Sequence, residues 1–275
     1  MRLWIRVLLT LFASGNFLAA FGQDTTTRSG FAIVTVVSGN IAGLVATETL
    51  RNATSSGVDQ VIVAPSGLIT AASMLVPVGP RLENTTGIAI TNPSLSSGGV
   101  NMILTDVGGS VVSNATIVLG AHGHFAQFLN ELFVPQPAGF STPVLLTVSS
   151  EIPIAILAVN FRAGDFAFIP LSSLSSPIPV PVQPSSTTLA ATFSTPVTVV
   201  TSPVPTTTSI GGSGSLVFAQ IVVGGGWSTE IAVGNTSAGI QQIQIDFFGP
   251  DGSHMSTLPD IVIPSRGVFL ISIGT

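Results

Sequence analysis

The chain has 275 residues, of which only 7% are charged, and it contains no cysteine. Disulfide scaffolds and thiol catalysis are therefore excluded, and the packing of a hydrophobic core must hold the fold together. Beyond residue 22 the chain carries five arginines and no lysine against twelve acidic residues, which excludes nucleic-acid binding and docking on anionic lipid.

The first 22 residues have the layout of a signal peptide. Two arginines flank a short stretch that leads into an apolar run over residues 7–20, which is too short and too interrupted to span a membrane. Ala20 and Gly22 are small residues at the two positions that signal peptidase reads. The sequence therefore predicts a secreted protein, extracellular or at the cell surface, whose mature chain begins at Gln23.

After the signal peptide, short apolar runs with partial period-two alternation recur between clusters of Gly, Pro, Asn and Asp. β-Branched residues are abundant, and the charged residues that solvated amphipathic helices need are scarce. The pattern predicts an all-β fold of antiparallel β-sandwich modules, Ig-like in general architecture. The predicted strands lie at residues 31–37, 42–50, 59–64, 68–76, 86–91, 99–105, 111–119, 143–149, 153–161, 165–171, 217–223, 229–234, 241–248, 255–263 and 267–273.

One segment has the period of a helix instead of that of a strand. Its apolar residues fall at positions i, i+3, i+4, i+7 and i+8. We therefore expect a short helix over residues 124–133, with these side chains in the core. They are Phe125, Phe128, Leu129, Leu132 and Phe133.

The segment from Ser172 to Ser215 is rich in Pro, Ser and Thr and ends in a Gly/Ser run. Proline has no N–H to give to a strand ladder, so the segment is predicted to be a semi-extended linker. Four regions follow from this. They are a signal peptide (residues 1–22), a β-sandwich domain (23–174), a Pro/Ser/Thr/Gly-rich linker (175–216) and a second, smaller β-sandwich domain (217–275).

An internal repeat indicates that the two domains contain parts of the same kind of module. Residues 87–93 match residues 230–236, and residues 37–51 match residues 148–162. The chain therefore reads as the second half of a module, a complete module, the linker, and the first half of a module. The two half-modules could complete each other, within one chain or between chains as head-to-tail oligomers. The alternative is that residues 24–174 and residues 212–275 fold as independent domains.

The C-terminal half-module resembles a known family of repeat domains. The runs that carry the resemblance are Phe218-Ala219-Gln220, Gly224-Gly225-Gly226-Trp227-Ser228-Thr229, Asn235 and Phe247-Phe248-Gly249-Pro250-Asp251-Gly252. They are similar to repeat domains of secreted, uncharacterised bacterial proteins, notably those of soil bacteria. The complete module resembles the same family but lacks the Gly-Gly-Gly-Trp run. The resemblance implies a β-sandwich fold and export, and it carries over no catalytic residue.

His122 and His124 form the closest pair of histidines in the sequence. On a strand, this H-x-H spacing would direct both rings to one face as two metal ligands, and Glu131 would be the third. Their repeat partners, however, are Arg266 and Val268, neither of which binds metal. We therefore do not expect a metal site here.

Asp246 and Asp251 could belong to a calcium loop of carboxylates and carbonyls. A β-turn is the more economical interpretation, because Pro250 followed by Asp-Gly has the residue preferences of a turn. We therefore predict no metal and no cofactor.

The sequence carries no recognisable catalytic motif. No serine has the Gly-x-Ser-x-Gly spacing of a nucleophile elbow, and the acidic residues are too dispersed to indicate a glycosidase pair. We therefore predict a non-enzymatic protein with a structural or adhesive role, whose partner is an extracellular protein or polysaccharide surface.

Trp227 is the candidate ligand-binding residue. It is the single tryptophan beyond the predicted signal peptide, and it follows three glycines. One interpretation is a packing anchor beside a flexible loop. The other is the platform of a carbohydrate-binding module, on which a sugar ring stacks, and this gives the alternative function.

Overall fold

The computed structural model describes residues 27–54, 57–77, 84–106, 108–133, 143–162, 165–174 and 214–274. The predicted signal peptide and nearly all of the predicted linker lie outside the described residues. Among the residues that are described, no helix is long and apolar enough to cross a membrane.

Antiparallel strands dominate the described chain, which confirms the all-β sandwich fold. The elements are β1 (Arg28–Ser38), a 3-10 turn (Ile41–Gly43), β2 (Leu44–Thr54), β3 (Gly57–Val63), β4 (Ile69–Pro77), β5 (Asn84–Thr91), β6 (Gly98–Thr105), β7 (Val111–Leu119), β8 (His124–Phe128), α1 (Leu129–Leu132), β9 (Pro143–Arg162), β10 (Asp165–Phe168), β11 (Ser172–Ser173), β12 (Ser215–Val223), β13 (Trp227–Asn235), β14 (Gln241–Phe248), β15 (His254–Ile263) and β16 (Val268–Ile273).

The helix predicted over residues 124–133 is wrong for its first five residues. They form β8, which pairs antiparallel with β5, and only α1 is helical. Strand pairing prevails because β8 satisfies the backbone N–H and C=O groups along one edge of β5. Leu129 and Leu132 are buried in the core as expected, whereas Phe128 lines a cleft on the other side of the sheet.

The described residues between 69 and 173 form one sandwich, which we call the complete module. Its two sheets share the long strand β9. The first part of β9 lies in the sheet order β11-β4-β9-β6-β7, and the second part lies in the order β8-β5-β9-β10. Side chains from both sheets and from α1 fill the space between them, among them Ile90, Met102, Leu104, Leu129 and Leu146.

A second sandwich, which we call the split module, is built from β1–β3 and β12–β16. Here β1 lies between β12 and β14, and β2 lies between β13 and β3. Its strand orders, β12-β1-β14-β15 and β16-β13-β2-β3, reproduce the orders β4-β9-β6-β7 and β8-β5-β9-β10 of the complete module. The two half-modules thus complete each other within one chain, and the strand pairing crosses the domain division drawn from the sequence.

The pairing register identifies equivalent positions in the two modules. Glu230 lies opposite Thr49, and its repeat partner Gly87 lies opposite Val159. Thr49 and Val159 are therefore equivalent, and the match of residues 37–51 with residues 148–162 is wrong by one residue at this point. The difference arises because the split module has additional residues in the 3-10 turn between β1 and β2, where β9 runs without interruption.

A buried asparagine organises the same loop in each module. The Nδ2 of Asn92 donates to two backbone carbonyls, and its Oδ1 accepts from the backbone N–H and the hydroxyl of Ser94. Asn235, its repeat partner, makes the corresponding bonds with backbone carbonyls and with Ser237. The two asparagines are 0% and 3% exposed. The repeated asparagine is thus a structural residue that satisfies loop backbone groups in both modules.

Glu48 is a buried carboxyl group without a partner. It is 0% exposed, and neither of its carboxyl oxygens has a hydrogen-bond partner among the residues that the structure describes. Its cross-strand neighbours on β3 and β13 are Val63 and Ile231. Burial raises the pKa of Glu48 well above its ordinary value. The equivalent position in the complete module is Ala158, opposite Ile88. The split module therefore contains a group that opposes its own stability.

We expect Glu48→Met to stabilise the protein at neutral pH by roughly 1–3 kcal/mol, the cost of an unsatisfied buried polar group. Because the folded-state pKa is raised, the unfolded chain loses the proton first. The unfolding free energy of the wild type therefore falls by up to about 1.4 kcal/mol for each pH unit above the ordinary pKa of glutamate, until the pH exceeds the folded-state pKa. Urea unfolding at pH 4.5 and pH 8 should show a larger gain at pH 8. A variant that is less stable at both pH values would contradict this prediction.

We also expect residues 212–275, expressed alone, to fail as an independent folded monomer. Residues 24–174 should fold only in the complete module and leave β1 without its partner strands, and the two fragments should associate when mixed. Apart from each other, β1 and β2 lose neighbours on one or both sides, and an apolar face is exposed. Size-exclusion chromatography and circular dichroism of each fragment and of the mixture would test this. The prediction would be contradicted if both fragments were soluble, cooperatively folded monomers that did not bind each other.

Candidate binding cleft at the module junction

The two modules are joined by a hydrophobic cluster that is separate from their own cores. On β1, Phe31 and Ile33 point into this junction, while the alternate residues Ala32 and Val34 point into the split-module core. On β9, the alternate residues Ala155, Leu157 and Val159 point into the junction. β12 lies against β5 and β9, and β3 lies against β10. One sheet of each module therefore carries apolar side chains on both of its faces.

Hydrogen bonds fix the relative position of the two modules. Ser66, in the segment between β3 and β4, bridges the modules: its backbone N–H donates to the Val217 carbonyl at 2.8 Å, and its hydroxyl donates to the Ile156 carbonyl at 2.8 Å. The hydroxyl of Thr91 donates to the Ala219 carbonyl at 3.0 Å, in a buried position. Nε2 of His124 lies 2.9 Å from Oε1 of Gln220. Such directional contacts select one arrangement of the two sheets among those that the apolar surfaces would allow.

A cleft of about 350 Å³ opens at this junction. Both modules contribute to its lining, and most of the lining is apolar. The lining residues are Thr27, Ser29, Leu50, Gly87, Ile88, Ala89, Ala126, Gln127, Phe128, Glu131, Leu157, Val159, Phe161, Phe166, Gln220, Val222 and Trp227. A concave, mostly apolar site with a few polar groups is the usual form of a small-molecule site.

Four aromatic rings of the lining form a continuous row. The ring centroids of Phe128 and Phe161 are 5.2 Å apart at an angle of 72°. Those of Phe161 and Phe166 are 5.8 Å apart at 29°, and those of Phe166 and Trp227 are 5.5 Å apart at 47°. These are the separations of interacting aromatic pairs. The row crosses the junction, since Trp227 belongs to the split module and the three phenylalanines belong to the complete module.

The glycine run before Trp227 forms the tight turn between β12 and β13. Gly224 and Trp227 exchange two backbone hydrogen bonds, of 3.0 and 2.9 Å. Gly226 has φ of 89°, and a Cβ on it would lie 2.9 Å from the Ala53 carbonyl oxygen. Only glycine satisfies both conditions at this position. The run is therefore a specific turn that holds Trp227 in the cleft lining, partly buried against the junction cluster. A ligand-binding role for Trp227 stays a prediction.

Glu131 is the single ionisable side chain among the lining residues named above. Its Oε2 accepts a long hydrogen bond of 3.4 Å from the backbone N–H of Phe128, and its side chain is otherwise exposed. The remaining polar lining groups are the amides of Gln127 and Gln220 and the hydroxyls of Thr27 and Ser29. The cleft thus offers one negative charge and several neutral hydrogen-bonding groups.

The sequence analysis did not identify the three phenylalanines as cleft residues, because Phe128 fell in the predicted helix and Phe161 and Phe166 fell in predicted strands. A signal for the junction was nevertheless present. Over residues 154–159 every residue of β9 is apolar, so the strand lacks the polar alternate positions of a half-exposed sheet. A run of this kind indicates a strand that is covered on both faces.

The structure does not assemble the metal ligands that the H-x-H pair suggested. His124 is bonded to Gln220, His122 lies in the preceding turn with φ of 51°, and Glu131 lines the cleft. Among the described residues, no group of three or more His, Cys, Asp or Glu side chains could hold a metal ion.

The candidate calcium loop around Asp251 is a β-turn. Oδ1 of Asp251 accepts from the backbone N–H of Ser253 at 3.0 Å and from its hydroxyl at 2.6 Å, which lowers the pKa of Asp251. Asp106 in the corresponding turn of the complete module accepts from the backbone N–H groups of Gly108 and Ser110. The carboxylates of these two aspartates thus accept hydrogen bonds from N–H and hydroxyl groups of their own turns.

All three histidines of the chain lie at the junction. His122 and His254 approach the ring of Phe248 from different modules, with centroid distances of 4.7 and 5.4 Å. Burial, and then repulsion by His254, lowers the pKa of His122, while Asp246 opposes the shift. Burial lowers the pKa of His124 to about 4, against the opposing hydrogen bonds from Gln220 and the Ala219 backbone.

We expect acidification to weaken the junction through His124. Because its folded-state pKa lies below the ordinary value of 6.5, the unfolded chain binds the proton first. The contribution of neutral His124 to the unfolding free energy is fully present above about pH 6.5. It is lost as the pH falls towards 4, and the total loss is about 3 kcal/mol. His124→Gln does not titrate, so the difference in unfolding free energy between wild type and variant should change with pH over this range. A constant difference would contradict the prediction.

No protein-family model matches the chain, and no curated protein matches it. Among solved structures, the Anabaena sensory rhodopsin transducer is similar with a TM-score of 0.28 and 18% identity, over 34% of this chain and 97% of that chain. Thermotoga maritima 1070 is similar with a TM-score of 0.31 and 12% identity, over 39% of this chain and 97% of that chain. Similarity at this level assigns neither a family nor a function.

Proposed function

We propose that the protein is a secreted or cell-surface, non-enzymatic β-sandwich repeat protein with a structural or adhesive role, and that it binds its ligand in the junction cleft. The observation that carries this proposal is the row of four aromatic rings, ending in Trp227, along a cavity that the two modules form together. Aromatic side chains in a concave site provide large contact areas at low entropic cost.

The chemistry of the lining supports binding rather than catalysis. The polar groups of its described residues are one carboxylate, two amides and two hydroxyls. The histidines of the junction are hydrogen-bonded or packed elsewhere. General acid–base catalysis needs a titratable side chain positioned against the reacting proton, and Glu131 is the single candidate among the described lining residues. The lining named above is suited to holding a ligand in place.

Export and an extracellular partner are parts of the same proposal. They are supported by the signal-peptide pattern of residues 1–22 and by the resemblance to repeat domains of secreted bacterial proteins. The proposed partner is an extracellular protein or polysaccharide surface. Self-association through the half-modules would require β1 and β2 to exchange their partner strands between chains, since these strands are paired within one chain.

A carbohydrate-binding module is the second candidate. It is favoured by the position of Trp227, which is partly exposed in a cleft that also presents the amide groups of Gln127 and Gln220. An aromatic ring flanked by hydrogen-bonding side chains is an arrangement that can hold a sugar ring.

We expect Trp227→Ala to weaken binding to the surface ligand by about 30-fold, the effect of truncating an aromatic residue that dominates an interface. The assay is a glycan array together with pull-down on polysaccharides and cell-surface preparations. Phe168→Ala is the matched control, because Phe168 is an aromatic residue that is 41% exposed and does not line the cleft. Equal binding by both variants and the wild type would contradict a role for the cleft.

A further inference from the structure

We propose that the junction cleft recognises an organic cation that carries N-methyl groups, an inference that rests on the proposed binding function of the cleft. The supporting juxtaposition is four aromatic rings and one carboxylate in a single lining. The face of an aromatic ring carries negative electrostatic potential and attracts a cation within about 6 Å of its centroid. A methylated ammonium group is also apolar at its surface, so it loses little hydration in such a site.

The charges of the described lining residues disfavour an anionic ligand. Among the described residues that line the cleft, Glu131 is the one ionisable side chain, and none is Lys, Arg or His. An anionic ligand would meet a carboxylate and the negative faces of the rings without a compensating cation. An organic cation would instead be attracted by the Glu131 carboxylate and by the ring faces.

Neighbouring rings of the row are inclined to each other, which allows them to contact one cationic group from more than one side. Phe128 and Phe161 meet at 72°, and Phe166 and Trp227 meet at 47°. Rings inclined in this way can present their faces to one group from different directions, as in a partial cage. At about 350 Å³, the cavity is at the small end of the range of roughly 300–1,000 Å³ for ligand sites. It therefore suits a headgroup better than a long polymer.

The aromatic row is a property of the junction and is not needed by the module fold. The pairing registers give the equivalent positions in the split module. There, Phe128 is replaced by Ser272, Phe161 by Arg51 and Phe166 by Gln60. Because a cavity remains beside the rings at the junction, they do more than fill the space between the modules.

Gly87 provides the room for two of these rings. A Cβ at this position would lie 3.2 Å from the Phe161 ring and 3.6 Å from the Phe128 ring. Its repeat partner in the split module is Glu230, which forms an ion pair with Arg51 at 3.4 Å. Where one module has a pair of opposite charges, the other has a glycine next to two aromatic rings.

The test compares choline with its neutral carbon isostere, 3,3-dimethylbutan-1-ol, by isothermal titration calorimetry on the full chain. We expect choline to bind roughly 2- to 30-fold more tightly than the isostere, the range expected from cation–π attraction. Glu131→Gln keeps an acceptor for the Phe128 N–H and should weaken choline binding several-fold while leaving the isostere unaffected. Asp260→Asn is the control, since it removes an acidic charge outside the cleft lining and should change neither affinity.

Equal affinities for choline and the isostere, or no binding of either, would overturn the inference. So would an equal loss of choline affinity in the Glu131 and Asp260 variants, because the effect would then come from net charge. These outcomes are distinguishable from failure of the proposed function. That function fails if Trp227→Ala leaves capture by polysaccharides and cell-surface preparations unchanged, whereas binding of neutral glycans without choline binding would support the carbohydrate-binding alternative.

Discussion

The insertion of β1 between β12 and β14 is the interaction on which the rest of the structure depends. β1 comes before the complete module in the chain, and both of its neighbours come after it. Its inward residues Ala32 and Val34 complete the core of the split module, and its outward residues Phe31 and Ile33 build the junction. One strand therefore closes a sheet, fills a core and positions the second module.

The two modules share a topology, but equivalent sheet faces are buried in the junction in one module and lie outside it in the other. On β9 the outward residues Leu157, Val159 and Phe161 are covered by the junction or line its cleft. Their equivalents on β2 are Thr47, Thr49 and Arg51, which point away from the core. Duplicated positions have thus become apolar where the modules meet and polar where they do not. The Arg51–Glu230 ion pair on the free face contributes little to stability, since partly exposed pairs rarely exceed about 1 kcal/mol.

Much of this organisation could be predicted from the sequence, because strand patterns are local signals and the repeat is visible when two segments of the chain are compared directly. The repeated Asn92 and Asn235 marked equivalent loops, and the unequal ends of the repeat indicated that the half-modules belong together. The strand conformation of residues 124–128 could not be predicted, since their apolar spacing fits a helix and the strand partner β5 is known only from the fold. The cleft could not be predicted either, because Phe161 and Trp227 are brought together only by the packing of one module on the other. Buried Glu48 has no signal in the sequence that distinguishes it from a surface glutamate.

The split module also has a consequence for the order in which the chain can fold. Nearly every neighbour of β1 and β2 is separated from them by the whole complete module, so these pairings have a very large sequence separation. Contacts of this kind are closed late and slowly, because the loop-closure entropy must be overcome before any contact forms. The complete module can form from contiguous sequence and can then act as a surface against which β1 and β12 dock. On this view the middle of the chain is the template for its two ends, and the junction cleft is the last feature to appear during folding.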